Sequence, residues 1–287
     1  MLPGMGTMTY SSRDARRLSG VARDLAQARG LLAQLVLRDI RVRYRYTAIG
    51  VLWAVLEPLA LMLVLSFVFS FVLADRASFA KDASALPFTV FLLTGLVFWQ
   101  FTSSSLTHAA ASILDNRNLV KKIRFPREVL PLSALGYPLV NLTVGVLILF
   151  GLHLALGGGA HASLLWIPAI FAVQLLLTAG LALLLSCGNV HYRDVGYILS
   201  VALLLGFYAT PIFYPASLVE TAALPGWLAG LYHANPMVGL IESYRVALQG
   251  QAPQTAMLAW PALAALLSLV CGLITFRCLS PTLSDHL

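Results

Sequence analysis

Residues 87–128 read PFTVFLLTGLVFWQFTSSSLTHAAASILDNRNLVKKIRFPRE. The first part of this stretch, 87–113, contains no Asp, Glu, Lys or Arg. A helix rises about 1.5 Å per residue, so a run of this length crosses the ~30 Å hydrocarbon layer of a bilayer. The second part turns abruptly basic, with Arg117, Lys121, Lys122, Arg124 and Arg127 inside 115–128. An apolar run then resumes over 129–156. The pattern predicts two membrane-spanning helices joined by a short, positively charged loop.

Working outward, further apolar runs occupy 50–74, 164–187, 195–214 and 257–276. The expectation is an all-α membrane protein with six transmembrane helices. Composition agrees. Of 287 residues, 59% are hydrophobic and only 11% charged. A water-soluble globule usually carries about 25% charge to cover its surface. Residues 1–30 hold five arginines and no apolar core of leader length, so the first span is expected to stay in the mature chain. Cys187, Cys271 and Cys278 lie in or beside apolar runs and form no metal-ligand spacing or disulfide framework.

The cations fix the expected orientation. With six spans, one side holds 1–49, 114–128, 188–194 and 277–287, with nine, five, one and one Lys or Arg. The other side holds only Arg76, Lys81 and Arg245. The positive-inside rule therefore places both termini in the cytoplasm. It also accounts for the net charge of +7 without a nucleic-acid partner.

Four features carry expectations about function. Residues 31–49 place Leu32, Leu35, Val36 and Ile40 at helical spacing and Arg38, Arg41 and Arg45 on another face. This reads as a basic amphipathic helix at the membrane surface, meeting membrane lipids with its guanidinium groups. In the loop 115–128, Asn116 or Asn118 is expected to cap a short helix. Leu119, Val120 and Ile123 then share one side, Lys121, Lys122 and Arg124 point away, and Pro126 forces Phe125 out of helical geometry. Exposed apolar groups rimmed by charge read as a docking surface. The tract 214–256, divided by Pro215, Pro225 and Pro236, leaves two stretches at 217–231 and 237–248 that are too short to cross. They are read as short re-entrant or surface helices at the outer side, because Glu220, Glu242 and Arg245 are costly in mid-bilayer. Finally, the spans carry aromatic and hydroxyl groups, Trp99 with its neighbours and Phe207, Tyr208, Phe213 and Tyr214, but few ionisable ones. Glu57, His108 and His153 are the main exceptions and are assigned structural or interfacial roles, which argues against proton coupling. Aromatic faces and hydroxyls suit a long neutral polymer. They equally suit helix packing and interface belts.

No catalytic or metal-binding constellation is expected. A phosphate-binding loop needs Gly-x-x-x-x-Gly-Lys-Ser/Thr, and Lys81, Lys121 and Lys122, the only lysines, lack that setting. An ATP-driven device built on this chain needs a separate ATPase.

Five segments together resemble a known family: LVLRDIRVRYRYTAIGVLWAVLEPL at 35–59, NLVKKIRFPREVLPLS at 118–133, NVHYRDVGYILS at 189–200, YATPIFYP at 208–215 and NPMVGLIESYR at 235–245. They look like the membrane subunit of ABC-2 polysaccharide exporters, which move O-antigen, capsule or teichoic acid chains. The resemblance covers about residues 30–280 and leaves 1–30 as a basic cytoplasmic extension. It implies an inner-membrane homodimer working with two ATPase subunits that bind ATP and Mg. It further implies an interface helix over 31–49 that includes Arg38, Arg41 and Arg45. Leu119, Lys121, Lys122, Ile123, Arg124 and Phe125 would form a coupling helix seated on the ATPase. Gate helices would lie at 217–231 and 237–248, and Trp99, Phe207, Tyr208, Phe213 and Tyr214 would line the path of a lipid-linked glycan. Two rival expectations are an ABC-2 exporter of a drug or lipid and a membrane-embedded transferase. The second needs paired acids or histidines, and the acids here are scattered singly.

Overall fold

The computed structural model describes residues 26–45, 52–68, 86–123, 125–221 and 225–280. The described residues are helical or irregular, with no strand among them. In chain order the helices are α1 (Arg29–Tyr44), α2 (Trp53–Phe67), α3 (Phe88–Asp115), α4 (Arg117–Lys122), α5 (Val129–Ser133) and α6 (Gly136–Ala155). They continue with α7 (Trp166–His191), α8 (Asp194–Ala209), α9 (Ser217–Thr221), α10 (Gly226–Ala234), α11 (Pro236–Leu248) and α12 (Thr255–Leu279). Among the described residues, four units are long and apolar enough to cross a membrane: Phe88–Asp115, Val129–Ala155, Ala162–His191 and Thr255–Leu279. They correspond to the predicted spans two, three, four and six. Part of the first predicted span, 50–74, and the residue Arg124 lie outside the described residues.

Proline sets several helix ends. Pro138 has no N–H to bond the Ala134 carbonyl, and the third span accordingly divides into α5 and α6 around Ala134 and Leu135. The predicted fifth span, 195–214, is shorter than expected, because α8 ends at Ala209. Thr210 precedes Pro211 and takes the extended conformation that a following proline favours, with φ −94° and ψ 140°. At 16 residues α8 is about 24 Å long. The stretch 217–231 likewise does not form one helix. It holds α9 and the start of α10, with 222–224 outside the described residues. By contrast, α11 starts cleanly. Pro236 occupies its first turn, where a missing N–H costs nothing, and the Asn235 side chain accepts from the Met237 N–H at 3.0 Å.

The core is built on α3, α7 and α11. Much of α3 is buried, including Val90, Phe91, Leu93, Phe98 and Phe101. From α11, Leu240, Ile241, Tyr244 and Ala247 join it with no exposed surface. Of the two alternatives for 237–248, a re-entrant or a surface helix, burial removes the second: α11 is a core element, wedged against α3, α7 and α12. Its two charged residues fit there because they satisfy each other. Arg245 Nη1 donates to Glu242 at 2.8 Å, one helical turn away. Helices α7 and α12 approach backbone to backbone through Gly180, Ser268 and Gly272. A Cβ on Gly180 would stand 2.3 Å from the Ser268 carbonyl carbon, and one on Gly272 would stand 2.4 Å from the Gly180 carbonyl oxygen. Small residues four apart are the usual device for close helix contact in lipid.

Candidate functional site

Helix α4 sits between two spans and has six residues. Asn116 occupies its N-cap position, but its side chain does not cap, contrary to expectation. Asn116 Nδ2 donates to the Ser112 carbonyl at 2.8 Å, and Oδ1 accepts from Arg38 Nη1 at 2.8 Å. The residue thus pins α1 to the end of α3 instead. The apolar side of α4 is also divided. Val120 is buried with Ile113, Val129, Leu183, Cys187, Val190 and Phe276, while Leu119 and Phe125 pack partly against the same cluster. Only Ile123, in extended conformation after the helix, is a well-exposed apolar side chain, beside exposed Lys121 and Lys122. The outward-facing set is therefore Lys121, Lys122 and Ile123. Val120, Leu119 and Phe125 tie α4 to the C-terminal ends of α7 and α12.

A buried ion pair strengthens that tie. Arg277, on the last turn of α12, approaches Glu128 at 3.5 Å, both almost fully covered. Arg127 donates from Nη1 to the Ser280 carbonyl. The segment after α4 is thereby fixed to the end of α12 at two neighbouring points. Sequence reading assigned neither Glu128 nor Arg277 a role. The available signal was an acid next to the basic loop and a lone cation closing an apolar run.

Helix α1 covers 31–44 of the predicted stretch 31–49, with 46–49 outside the described residues, and much of its apolar side is used on protein. Leu35 is buried in the cluster with Leu130 and Val129. Val36 lies so close to Gly136 that a Cβ there would come within 2.5 Å of it. Arg38, Arg41 and Arg45 remain exposed.

At the other end of the fold, the five aromatic candidates come together. Trp99 and Phe207 meet edge to face at 6.3 Å between centroids, and Phe207 lies 5.3 Å from Tyr208 and 6.1 Å from Phe213. Phe213 and Tyr214 follow at 5.2 Å, and Tyr214 Oη donates to the Tyr208 carbonyl at 3.2 Å. Their exposure differs. Trp99 is buried over Gly206, where a Cβ would come within 2.8 Å of the indole, whereas Tyr208 is 59% exposed. Tyr208 continues a stripe of exposed side chains along α8 through Tyr197, Ile198, Val201, Leu204 and Leu205. Only Leu199 of that helix is buried.

The turn after α8 is clamped from beneath. Arg245 Nη2 donates to the carbonyls of Ile212 at 2.8 Å and Phe91 at 3.3 Å, with its guanidinium 3.4 Å above the Phe91 ring. Asn235 Nδ2 donates to Thr210 Oγ1 at 2.9 Å. Next to this clamp runs a polar chain that sequence reading missed. Gln174 Nε2 donates to the Phe98 carbonyl at 2.8 Å and Thr102 Oγ1 at 2.9 Å, and Gln174 Oε1 accepts from Tyr244 at 2.8 Å. The Tyr244 ring stacks on Phe98 at 3.5 Å. The signal in the sequence was Gln174 itself, a lone amide inside the apolar run 164–187. His153, buried at the end of α6, packs over Gly158 and contacts the Gly159 carbonyl at 3.4 Å. That fits the structural role expected of it.

Comparison with known proteins places these features. The family described as "ABC-2 type transporter" matches residues 30–248. The O-antigen export system permease protein RfbA of Myxococcus xanthus is 35% identical over 225 residues, covering 78% of this chain and 82% of that protein. A Klebsiella pneumoniae protein of the same name is 32% identical over 219 residues, covering 75% and 78%. The polysialic acid transport protein KpsM of Escherichia coli is 24% identical over 246 residues, covering 85% and 91%. The match spans α1 through α11 and so includes the basic loop with α4, the aromatic cluster and the clamp. The chain belongs to the ABC-2 type transporter family.

Proposed function

We propose that this chain is the membrane-spanning permease half of an ATP-driven exporter that carries a lipid-linked polysaccharide, an O-antigen or similar surface glycan, across the bacterial inner membrane. The observation that carries the reading is its similarity, over most of both chains, to O-antigen export permeases. Two copies of the chain work with two ATP-binding subunits, which hold ATP and Mg. Each copy crosses the membrane six times with both ends in the cytoplasm, α2 and α8 completing the four long spans.

In this reading Lys121, Lys122 and Ile123 meet the ATPase. Force applied there passes through Val120 and the Glu128–Arg277 pair to the inner ends of α7 and α12. Those two helices are in such close backbone contact that they move as one body. The glycan passes along the face of α8, with Tyr208 and its aromatic neighbours offering ring faces to sugar C–H groups. The clamp of Arg245 and Asn235 on residues 210–212 holds the outer end of that path in register.

Loss of the gene in its source organism tests the cargo. Surface polysaccharide should disappear while lipid-linked polymer accumulates inside the cell. Unchanged surface glycan together with new sensitivity to a drug would refute the cargo and favour an exporter of small apolar molecules.

A further inference from the structure

A cavity of about 370 Å³ opens between α1, α3, α5 and α6, away from the aromatic cluster. Its lining includes Arg43, His108, Tyr137, Asp39, Asp115 and Val42.

The cavity holds a cation in a prepared position. The Arg43 guanidinium lies 4.6 Å above the centre of the Tyr137 ring, an attractive arrangement with the ring face. Arg43 Nη1 stands 3.4 Å from His108 Nε2. An arginine only donates, so that nitrogen accepts and the imidazole is neutral with its proton on Nδ1. His108 in turn meets Tyr137 edge to face at 5.5 Å. The ring below and the imidazole beside therefore fix the fork while using one of its five N–H donors. No carboxylate bridges Arg43 among the described residues. A rigid guanidinium with free donors matches phosphate oxygens.

The cavity also holds an acceptor for a positive group. Asp39 lies one helical turn before Arg43 on α1, on the same face. Arg38 Nε and Nη2 both reach Asp39 Oδ1, at 3.0 and 2.8 Å, so the second carboxylate oxygen accepts from no protein donor among the described residues. Asp115 adds a second acid at the C-terminal end of α3, where the helix dipole disfavours negative charge and no basic residue stands in the last turn. A simple anion would be repelled by these two acids. A ligand carrying a phosphate and, a few ångströms away, an ammonium group meets both halves.

The geometry points to a binding site for the zwitterionic headgroup of an aminophospholipid, phosphate on Arg43 and primary ammonium on Asp39. Val42, beside them and 69% exposed, offers an apolar surface to the glycerol and upper acyl region. This rests on the reading of α1 as a helix at the membrane surface. It does not depend on the cargo.

The test uses the full-length chain purified in detergent and titrated separately with phosphatidylethanolamine, phosphatidylcholine, phosphatidylglycerol and a polyprenyl diphosphate, with native mass spectrometry reading occupancy. Phosphatidylethanolamine should bind most tightly. Arg43→Gln should weaken it roughly tenfold or more, the loss expected for a charge-assisted contact. Asp39→Asn should remove the preference for ethanolamine over choline while keeping phosphate-dependent binding. Stronger binding of phosphatidylglycerol or the diphosphate, or an unchanged response in Arg43→Gln, would overturn the assignment. The lipid that co-purifies with the unmodified chain gives a reading independent of variant folding: enrichment of phosphatidylethanolamine over its share of the host membrane is expected, and depletion would refute the site. Failure in these assays would leave glycan export by the same chain unaffected, so the two readings fall separately.

Discussion

Gln174 sits at the centre of the buried polar network and bonds groups on α3 and α11 at once. Removing it leaves Thr102 and Tyr244 without that amide in a water-free place. Gln174→Ala should lower thermal stability by about 1–3 kcal/mol, toward the lower figure if the unfolded chain finds partners in the membrane. Tyr244→Phe removes one donor and keeps the stack on Phe98, so its effect should be smaller. Unfolding midpoints of the two purified variants check the order, and an equal or reversed order would contradict the role given to the amide. Arg245 illustrates what residue-level reading reaches and what it does not. Its cost in mid-bilayer argues against another simple span, and α11, at 13 residues, is too short to be one. That it would be completely buried, with Glu242, Ile212 and Phe91 all in reach, depends on contacts between segments far apart in the chain. No local pattern reports those contacts.

At the scale of elements, apolar run length located the long helices well, because lipid length and helix rise are both fixed. It met the third span as Val129–Ala155 but not the break around Pro138 within it, and it overran at Thr210–Pro211 after α8. Both prolines were visible, so these ends were legible in principle. The burial of α11 was not, because its apolar spacing fits a surface helix and a core helix equally. The α7–α12 contact yields a sharp expectation. Gly180→Leu or Gly272→Leu must force the backbones apart, and either variant should fail to accumulate as a monodisperse protein. Gly151→Leu, at a position with open space around it, should be tolerated. Size-exclusion profiles of the three variants, expressed in parallel, provide the check.

The basic loop 115–128 shows the same division. Its charge and the existence of a short helix were readable from 115–128, and Lys121 and Lys122 are exposed there. The pattern did not reveal that Val120, Leu119 and Phe125 turn inward, because an apolar side chain on a loop looks the same whether it docks on a partner or on its own core. The account separates the two sets experimentally. Lys121→Glu with Lys122→Glu should reduce co-purification with the ATPase at least several-fold while leaving insertion and unfolding temperature unchanged. Val120→Asp should instead destabilise the chain itself, since it buries an unpaired charge. Unchanged ATPase capture in the double reversal would remove these lysines from the docking surface.

For the whole molecule, the central claim is that this chain forms a path and leaves the energy source to a partner. The charge asymmetry, the absence of a phosphate-binding loop and the resemblance to glycan permeases were all in the residues from the start. The structure adds physical connections: α4 rooted in the ends of α7 and α12, and an aromatic surface on α8 whose C-terminal end is clamped by α11. Inverted membrane vesicles loaded with lipid-linked glycan test the claim directly. Vesicles holding this chain and its ATP-binding subunit should move the polymer into a protected interior when ATP is added. Vesicles lacking either chain, or supplied with ADP, should not. Protection of the glycan by this chain alone, or its persistence at the outer face with both chains and ATP present, would contradict the account.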